Sequence, residues 1–230
     1  VLNSLLMAKS KIICIGLHKT ATSSLDVALT EYGYRVTGYF GINDPKIAEV
    51  ALSQGIEILE DNDAAQDDPW YLIYKGLDLA YPNSRYILTT RESNKWIKSC
   101  VQHFGGSGNE VRRWFYGEGK DDPIGNEEHW IKTKERHEAD VREYFRKRPE
   151  SFIEIDITAG DDWDKLGPFL GIDKRGPFPK TNTVSQRLHH KLWEKYQKSH
   201  GIKKFYYRLC MKLVREVDKK AFYRIGEVKC

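Results

Sequence analysis

A nine-residue polar segment, GLHKTATSS at 16–24, constrains the fold of this chain more than any other feature. It follows the apolar run Ile12–Ile15 and precedes Leu25–Leu29, which predicts a buried strand, a tight loop and a helix. At such a junction the unpaired amides of the first helical turn and the positive end of the helix dipole favour an anion. The segment therefore predicts a phosphate-binding loop.

Two further apolar runs predict strands that alternate with helices. Arg85–Thr90 and Ser151–Ile157 join Lys11–Gly16 as predicted strands. This alternation predicts an α/β fold, with a parallel sheet flanked by helices on both faces. Ligands in such folds bind at the carboxyl ends of the strands. The predicted helices are Thr22–Tyr32, Pro45–Gln54, Pro69–Ala80, Ser93–His103, Glu127–Arg148 and Asp161–Leu170.

Two segments do not fit this alternation. Asp63–Asp67 is too short for its type to be assigned. Gly105–Asn126 is rich in glycine and polar residues, which favours a mobile loop or lid.

The charge distribution divides the chain. We assign an N-terminal arm to residues 1–10, the main domain to 11–185 and a basic helical C-terminal extension to 186–230. The extension has 13 Lys/Arg and 4 Asp/Glu, a balance of +9, whereas the whole chain carries +4. Such a balance suggests peripheral contact with an anionic surface, whereas the solvated faces of ordinary helices are the simpler explanation.

Composition narrows the class of protein. No apolar run approaches the roughly 18 to 20 residues that span a bilayer, and residues 1–10 lack the basic start of a signal peptide. The four cysteines show no CxxC spacing, which argues against a zinc or dithiol site and favours a reducing compartment. We expect a cytoplasmic protein without a metal or a nucleic-acid partner; a trimmed lumenal domain is the alternative, and the oligomeric state is open.

The polar loop carries one lysine and several hydroxyls. Lys19 adds a mobile charge to the predicted anion site, and hydroxyl donors come from Thr20, Thr22, Ser23 and Ser24. The loop lacks the Gly-Lys-Ser/Thr ending of ATP-binding loops, and no strand ends in an evident magnesium-binding aspartate. This pattern favours a phosphosulfate over a triphosphate. A helix cap beside an exposed lysine is the structural alternative.

A second basic position lies at the end of the strand Arg85–Thr90. Arg91 follows that strand, and Ser99 comes eight residues later on the helix that Ser93 is expected to cap. The planar guanidinium suits phosphate binding, and a serine facing the same loop can bind another oxygen. Alternatively, Arg91 is a surface residue paired with Glu92 or Glu60.

These two stretches, KIICIGLHKTATSSL and YPNSRYILTTRESNKWIKS, together resemble the P-loop sulfotransferases that use 3′-phosphoadenosine 5′-phosphosulfate. Further on, DDWDKLGPFLGI and GPFPKTN are similar to that family's late helix and cofactor-covering loop. The resemblance extends over about residues 11 to 183 and is strongest to the compact branch found in bacteria, fungi and animals. It implies a three-layer P-loop-type sheet, release of adenosine 3′,5′-bisphosphate and no metal.

The resemblance also implies roles for individual residues. Arg91 and Ser99 would bind the 3′-phosphate, and Arg175 and Lys180 would cover it or the adenine. Ala21 stands where the family usually has glycine, which matters if this residue needs a positive φ. The residues implied to bind the 5′-phosphosulfate are His18, Lys19, Thr20, Ala21, Thr22, Ser23 and Ser24.

Transfer requires stabilisation of the leaving oxygen and a base for the acceptor's proton. We assign the first role to Lys19. In DAAQDDPWYLIYK, Asp67 matches a carboxylate proposed as general base in the branch, but it could instead cap the helix that begins near Pro69. His18 and His103 are rival bases.

The acceptor is expected to be a small molecule or carbohydrate with a hydroxyl or amine. Its pocket would be built from 39–43, 67–71 and the predicted lid near Trp114. Two other functions remain open at this point. One is an ATP- and magnesium-dependent small-molecule kinase, and the other is a non-catalytic adenine-nucleotide-binding module.

Overall fold

The computed structural model of the protein describes residues 10–173 and 177–181, together with Tyr206 and Cys210. The chain divides into two units, Val1–Phe178 and Pro179–Cys230. Most of the predicted extension lies outside the described residues, although Tyr206 and Cys210 are both helical. Within the described part of the chain, no helix combines the length and the hydrophobicity needed to cross a bilayer.

The first unit is built on a five-stranded parallel sheet with the order β2-β3-β1-β4-β5. Every pair of neighbouring strands is parallel, so the predicted parallel α/β sheet is confirmed. The central strand β1 lies between β3 and β4, which brings the loops after these three strands to one edge of the sheet. The strands are β1 (Ile12–Cys14), β2 (Val36–Thr37), β3 (Ala64–Ala65), β4 (Arg85–Thr89) and β5 (Phe152–Ile155).

The described residues form seven α-helices and one 3₁₀ turn at Pro149–Ser151. The helices are α1 (Thr22–Glu31), α2 (Ile47–Asp61), α3 (Trp70–Ala80), α4 (Ser93–Phe104), α5 (Glu110–Tyr116), α6 (Glu127–Phe145) and α7 (Trp163–Leu170).

Alternation along β1 explains why these helices form two layers. Successive side chains of a strand point to opposite faces of the sheet. Ile13 therefore packs into the core with residues of α2 to α6, whereas Ile12 and Cys14 pack with residues of α1 and α7. The result is the predicted three-layer arrangement.

The structure corrects two of these predictions and assigns one segment that the sequence left open. The helix predicted over Pro45–Gln54 continues to Asp61 as α2, because Leu59 is buried and extends the apolar face. The ambiguous segment contains β3, a strand of two alanines. The cap of α4 is Glu92 rather than Ser93, since the Glu92 carboxylate accepts hydrogen bonds from the amides of Asn94 and Lys95, both at 2.8 Å.

The prediction of a loop or lid over Gly105–Asn126 is wrong for its centre, which forms α5. The Asn109 side chain accepts a hydrogen bond from the Arg112 amide at 2.8 Å and so caps this helix. Tyr116 is buried and stacks on Trp130 of α6, with 3.8 Å between the ring centroids. The segment is therefore anchored to the core through this helix.

Candidate functional site

The loop after β1 lies directly against the end of β4. A Cβ atom added to Gly16 would collide with the side chain and main chain of Thr89, so this position requires glycine. The buried Thr20 hydroxyl donates to the Leu17 carbonyl at 2.6 Å and lies 2.6 Å from the Thr89 hydroxyl. The Thr20 hydroxyl thus fixes the loop to β4, which differs from its predicted role as a ligand donor.

The main chain of this loop turns through two left-handed residues. Lys19 has φ 66° and Ala21 has φ 73°. The positive φ at Ala21 is the condition under which its methyl group matters, because L-residues there cost about 1–2 kcal/mol. Ala21 precedes α1, whose start has no side-chain cap, so the amides of Thr22 and Ser23 have no intrahelical acceptor. This geometry leaves main-chain donors at the positive end of α1.

Side chains at the start of α1 differ in their exposure. Ser23 is partly exposed, whereas Thr22 and Ser24 are buried. The partly exposed Lys19 places its Nζ 6.0 Å from the centroid of the Phe104 ring at the end of α4. The Lys19 side chain therefore reaches from the loop towards the C-terminal end of α4.

Arg91 connects the second predicted anion site to the first. Its Nη1 donates a hydrogen bond to the Lys19 carbonyl at 3.1 Å. Its Nε is buried and has no hydrogen-bond partner among the described residues. Glu92 is occupied in capping α4, so the predicted alternative of an Arg91–Glu92 pair is not what the structure shows. Ser99 lies partly exposed on the same helix, α4.

Asp67 follows β3 at the same edge of the sheet, with φ 78°. Burial, and then the neighbouring charge of Asp68, raise the pKa of Asp67 to about 6, although His18 and Lys19 act in the opposite direction. Its Oδ1 accepts the Asp68 amide at 3.0 Å. The N-cap of α3 is Pro69, without a side-chain cap, so the alternative role of the Asp67 side chain as a helix cap is wrong.

His18 belongs to the loop, but its side chain is buried in the protein rather than exposed on the loop surface. The imidazole is buried, with Nδ1 3.4 Å from Asp68 Oδ1 and Nε2 3.1 Å from the Tyr116 hydroxyl. Burial alone would raise the pKa of Asp68, but the hydrogen bond and charge of His18 leave it lowered. Both ring nitrogens therefore contact protein groups, a geometry that suits positioning better than contact with a cofactor.

The structure also places the remaining predicted residues. Arg175 lies outside the described residues, and Lys180 is exposed in the second unit. His103 is exposed on α4 and contacts the Phe104 ring edge-on. Trp70 and Trp96 are fully buried in the core.

One charged residue at the site was absent from the sequence prediction. Arg112 of α5 is buried, and its guanidinium carbon lies 4.7 Å from the centroid of the Phe104 ring, the ring that Lys19 also approaches. The one signal that could have revealed it is Asn109, a favourable cap three residues before Arg112.

No group of three His, Cys, Asp or Glu side chains in the described part of the chain could hold a metal ion. The arrangement instead offers main-chain amides and cationic side chains beside a carboxyl group. Such a set can bind an anionic substrate and move one proton.

Comparison with known proteins gives a family. The sequence model described as a sulfotransferase domain matches residues 11–122 and 101–187, which together make up more than half of the chain. No curated protein matches the sequence.

Proposed function

Because this chain belongs to the sulfotransferase domain family, we propose that it moves a sulfuryl group from 3′-phosphoadenosine 5′-phosphosulfate to a hydroxyl or amine, by in-line displacement. The product would be adenosine 3′,5′-bisphosphate. One observation supports this proposal above the others, the hydrogen bond that joins Arg91 to the loop of Lys19. This bond joins two cationic residues that lie at the ends of the neighbouring strands β4 and β1.

The residues fit a donor with two anionic ends. The uncapped start of α1 and Lys19 would hold the 5′-phosphosulfate, because main-chain amides and an ammonium both stabilise its oxygens. Arg91 would bind the 3′-phosphate, since its buried Nε still lacks a hydrogen-bond partner among the described residues. Ser99 would assist from α4.

The donor, when bound, supplies an activated sulfuryl group and a phosphate leaving group. Lys19 stabilises the negative charge that grows on the leaving oxygen, together with the amides at the start of α1. Asp67 accepts the proton of the attacking hydroxyl. With its pKa raised to about 6, Asp67 is a stronger base than an ordinary aspartate and is still ionised at neutral pH.

Asp68 and His18 support this base without acting as one. The pKa of Asp68 is lowered, so its negative charge persists beside Asp67 and contributes to the raised pKa there. His18 holds Asp68 through Nδ1 and contacts Tyr116 through Nε2. We assign positioning roles to both residues.

A thermal-shift comparison tests the proposal. We expect adenosine 3′,5′-bisphosphate with EDTA to raise the melting temperature, and ATP with magnesium to raise it far less. The reverse order would contradict the proposal and support the kinase. Incubation with ³⁵S-labelled donor and a library of hydroxyl and amine acceptors then tests transfer. Binding of the nucleotide without formation of any labelled product would support the non-catalytic adenine-nucleotide-binding module instead.

A further inference from the structure

Arg112 is a buried cation whose hydrogen-bonding capacity is incompletely used. The residue is only 4% exposed, and its Nε and Nη1 have no hydrogen-bond partner among the described residues. A guanidinium carries five N–H donors and cannot lose its charge in a protein. Buried donors without partners cost free energy, so this position favours an incoming acceptor of hydrogen bonds.

Arg112 lies at the site already described. Its guanidinium stacks over the Phe104 ring, and Lys19 approaches the same ring. The charge of Arg112 also helps to lower the pKa of Asp68, which directly follows the proposed base. Arg112 therefore lies near both Lys19 and the carboxyl pair 67–68.

The donor's anionic groups already have partners in the proposed site. Lys19 and the start of α1 are assigned to one end of the nucleotide, and Arg91 to the other. Arg112 comes from α5, and its charge acts on Asp68, the residue next to the proposed base Asp67. The Phe104 ring, beside the guanidinium, adds an apolar contact surface.

We propose that Arg112 forms an anion subsite for the acceptor, so that the preferred acceptors carry a carboxylate or similar anionic group near the hydroxyl or amine that is sulfated. This inference rests on the proposed function. The competing view is that Arg112 is structural and is stabilised by Phe104 and Asp68 alone.

Binding of a matched pair of probes, benzoate and benzamide, separates these views. The two have nearly the same shape and differ in charge. Ligand-observed NMR titrations would use the full chain, with and without saturating adenosine 3′,5′-bisphosphate. Arg112→Gln removes the charge, and Arg113→Gln is the matched control, since Arg113 pairs with Glu110 on the same helix.

We expect the wild type and Arg113→Gln to bind benzoate about tenfold more tightly than benzamide, the ratio that corresponds to about 1.4 kcal/mol. Arg112→Gln should reduce this preference to less than about twofold. If Arg112→Gln does not fold, Arg112→Lys replaces it. That variant should keep less than half of the preference, because lysine lacks the planar fork.

Two results would overturn the proposal. The first is equal binding of the two probes by the wild type, or an unchanged preference in the Arg112 variants. The second is that the Arg112 variants lose affinity for the phosphosulfate donor but keep their affinity for the bisphosphate product. This result would assign Arg112 to the transferred sulfuryl group instead. Because the probes are titrated both with and without nucleotide, failure of nucleotide binding would contradict only the proposed function.

Discussion

Arg91 and Lys19 are joined by a hydrogen bond of 3.1 Å, from the guanidinium Nη1 of one to the main-chain carbonyl of the other. The bond runs between the ends of β4 and β1, which are adjacent in the sheet. It holds the carbonyl of a residue whose φ is 66°, a conformation that lysine adopts only when its surroundings impose it. Arg91 thus helps to shape the loop that carries Lys19.

Replacing Arg91 with alanine should weaken binding of the 3′-phosphate. The wild type should prefer adenosine 3′,5′-bisphosphate over adenosine 5′-phosphate, and Arg91→Ala should lose about tenfold or more of that preference, because a charged hydrogen bond contributes about 1.5–3 kcal/mol. Isothermal titration calorimetry measures both affinities. Arg146→Ala, at an exposed arginine paired with Glu143, is the control. An unchanged preference in Arg91→Ala would remove this residue from the 3′-phosphate site.

Replacing Lys19 with alanine should affect turnover more than binding. Loss of one donor to a developing negative charge commonly reduces kcat by about 10²–10³-fold. We expect a reduction of this size in initial rates, with a loss of less than about tenfold in affinity for the bisphosphate product. Lys98→Ala, at an exposed lysine of α4, should behave as the wild type. Equal losses in rate and product affinity would indicate that Lys19 only binds the nucleotide.

The activity should depend on the ionisation of Asp67. Because its pKa is raised to about 6, kcat/KM should fall about tenfold per pH unit below that value and level off above it. Asp67→Asn should be far less active and should lack this inflection. A profile in which the variant keeps the same inflection would assign the base to another group.

The same ionisation makes the wild type less stable at higher pH. The pKa of Asp67 is raised from 3.8 to about 6 on folding, so the stability that its proton contributes is present below pH 4 and lost as the pH rises through 6. Asp67→Asn should therefore be more stable than the wild type at pH 8, by up to about 3 kcal/mol. Urea unfolding at pH 4 and pH 8 measures this, with Asp140→Asn on the exposed face of α6 as control. A similar gain at both values would refute the linkage.

Replacing Ala21 with glycine should stabilise the fold. At φ 73° the alanine methyl is strained, and relief should add about 1 kcal/mol to the free energy of unfolding. Ala139→Gly, at an exposed position inside α6, should lose about 1 kcal/mol instead. If both variants are destabilised alike in urea titrations, the strain at Ala21 is negligible.

Three of the five strands could be predicted from the sequence, because β1, β4 and β5 are rich in isoleucine or other apolar residues. Strands β2 and β3 have two residues each, and the alanines of β3 have no strand preference of their own. They are strands because the chain lies beside β1 and pairs with it or with its neighbour. Helix α5 was missed because glycines surround its seven residues.

The candidate site, too, could be predicted from the sequence only in part. Lys19 and Arg91 could be predicted as neighbours, since parallel strands end at one edge of the sheet. The contact of His18 with Asp68 spans 50 residues, and that with Tyr116 spans 98. Such contacts depend on how α3 and α5 pack over the loop, which local sequence patterns do not encode.

Gly16 and Thr89 limit how this loop can be altered. The space that a methyl group would need at position 16 is filled by the threonine whose hydroxyl also contacts Thr20. A loop transplanted from a relative would therefore fit only if its companion on the neighbouring strand were transplanted with it. The unit open to exchange, in evolution or in the laboratory, is the pair of adjoining strand ends.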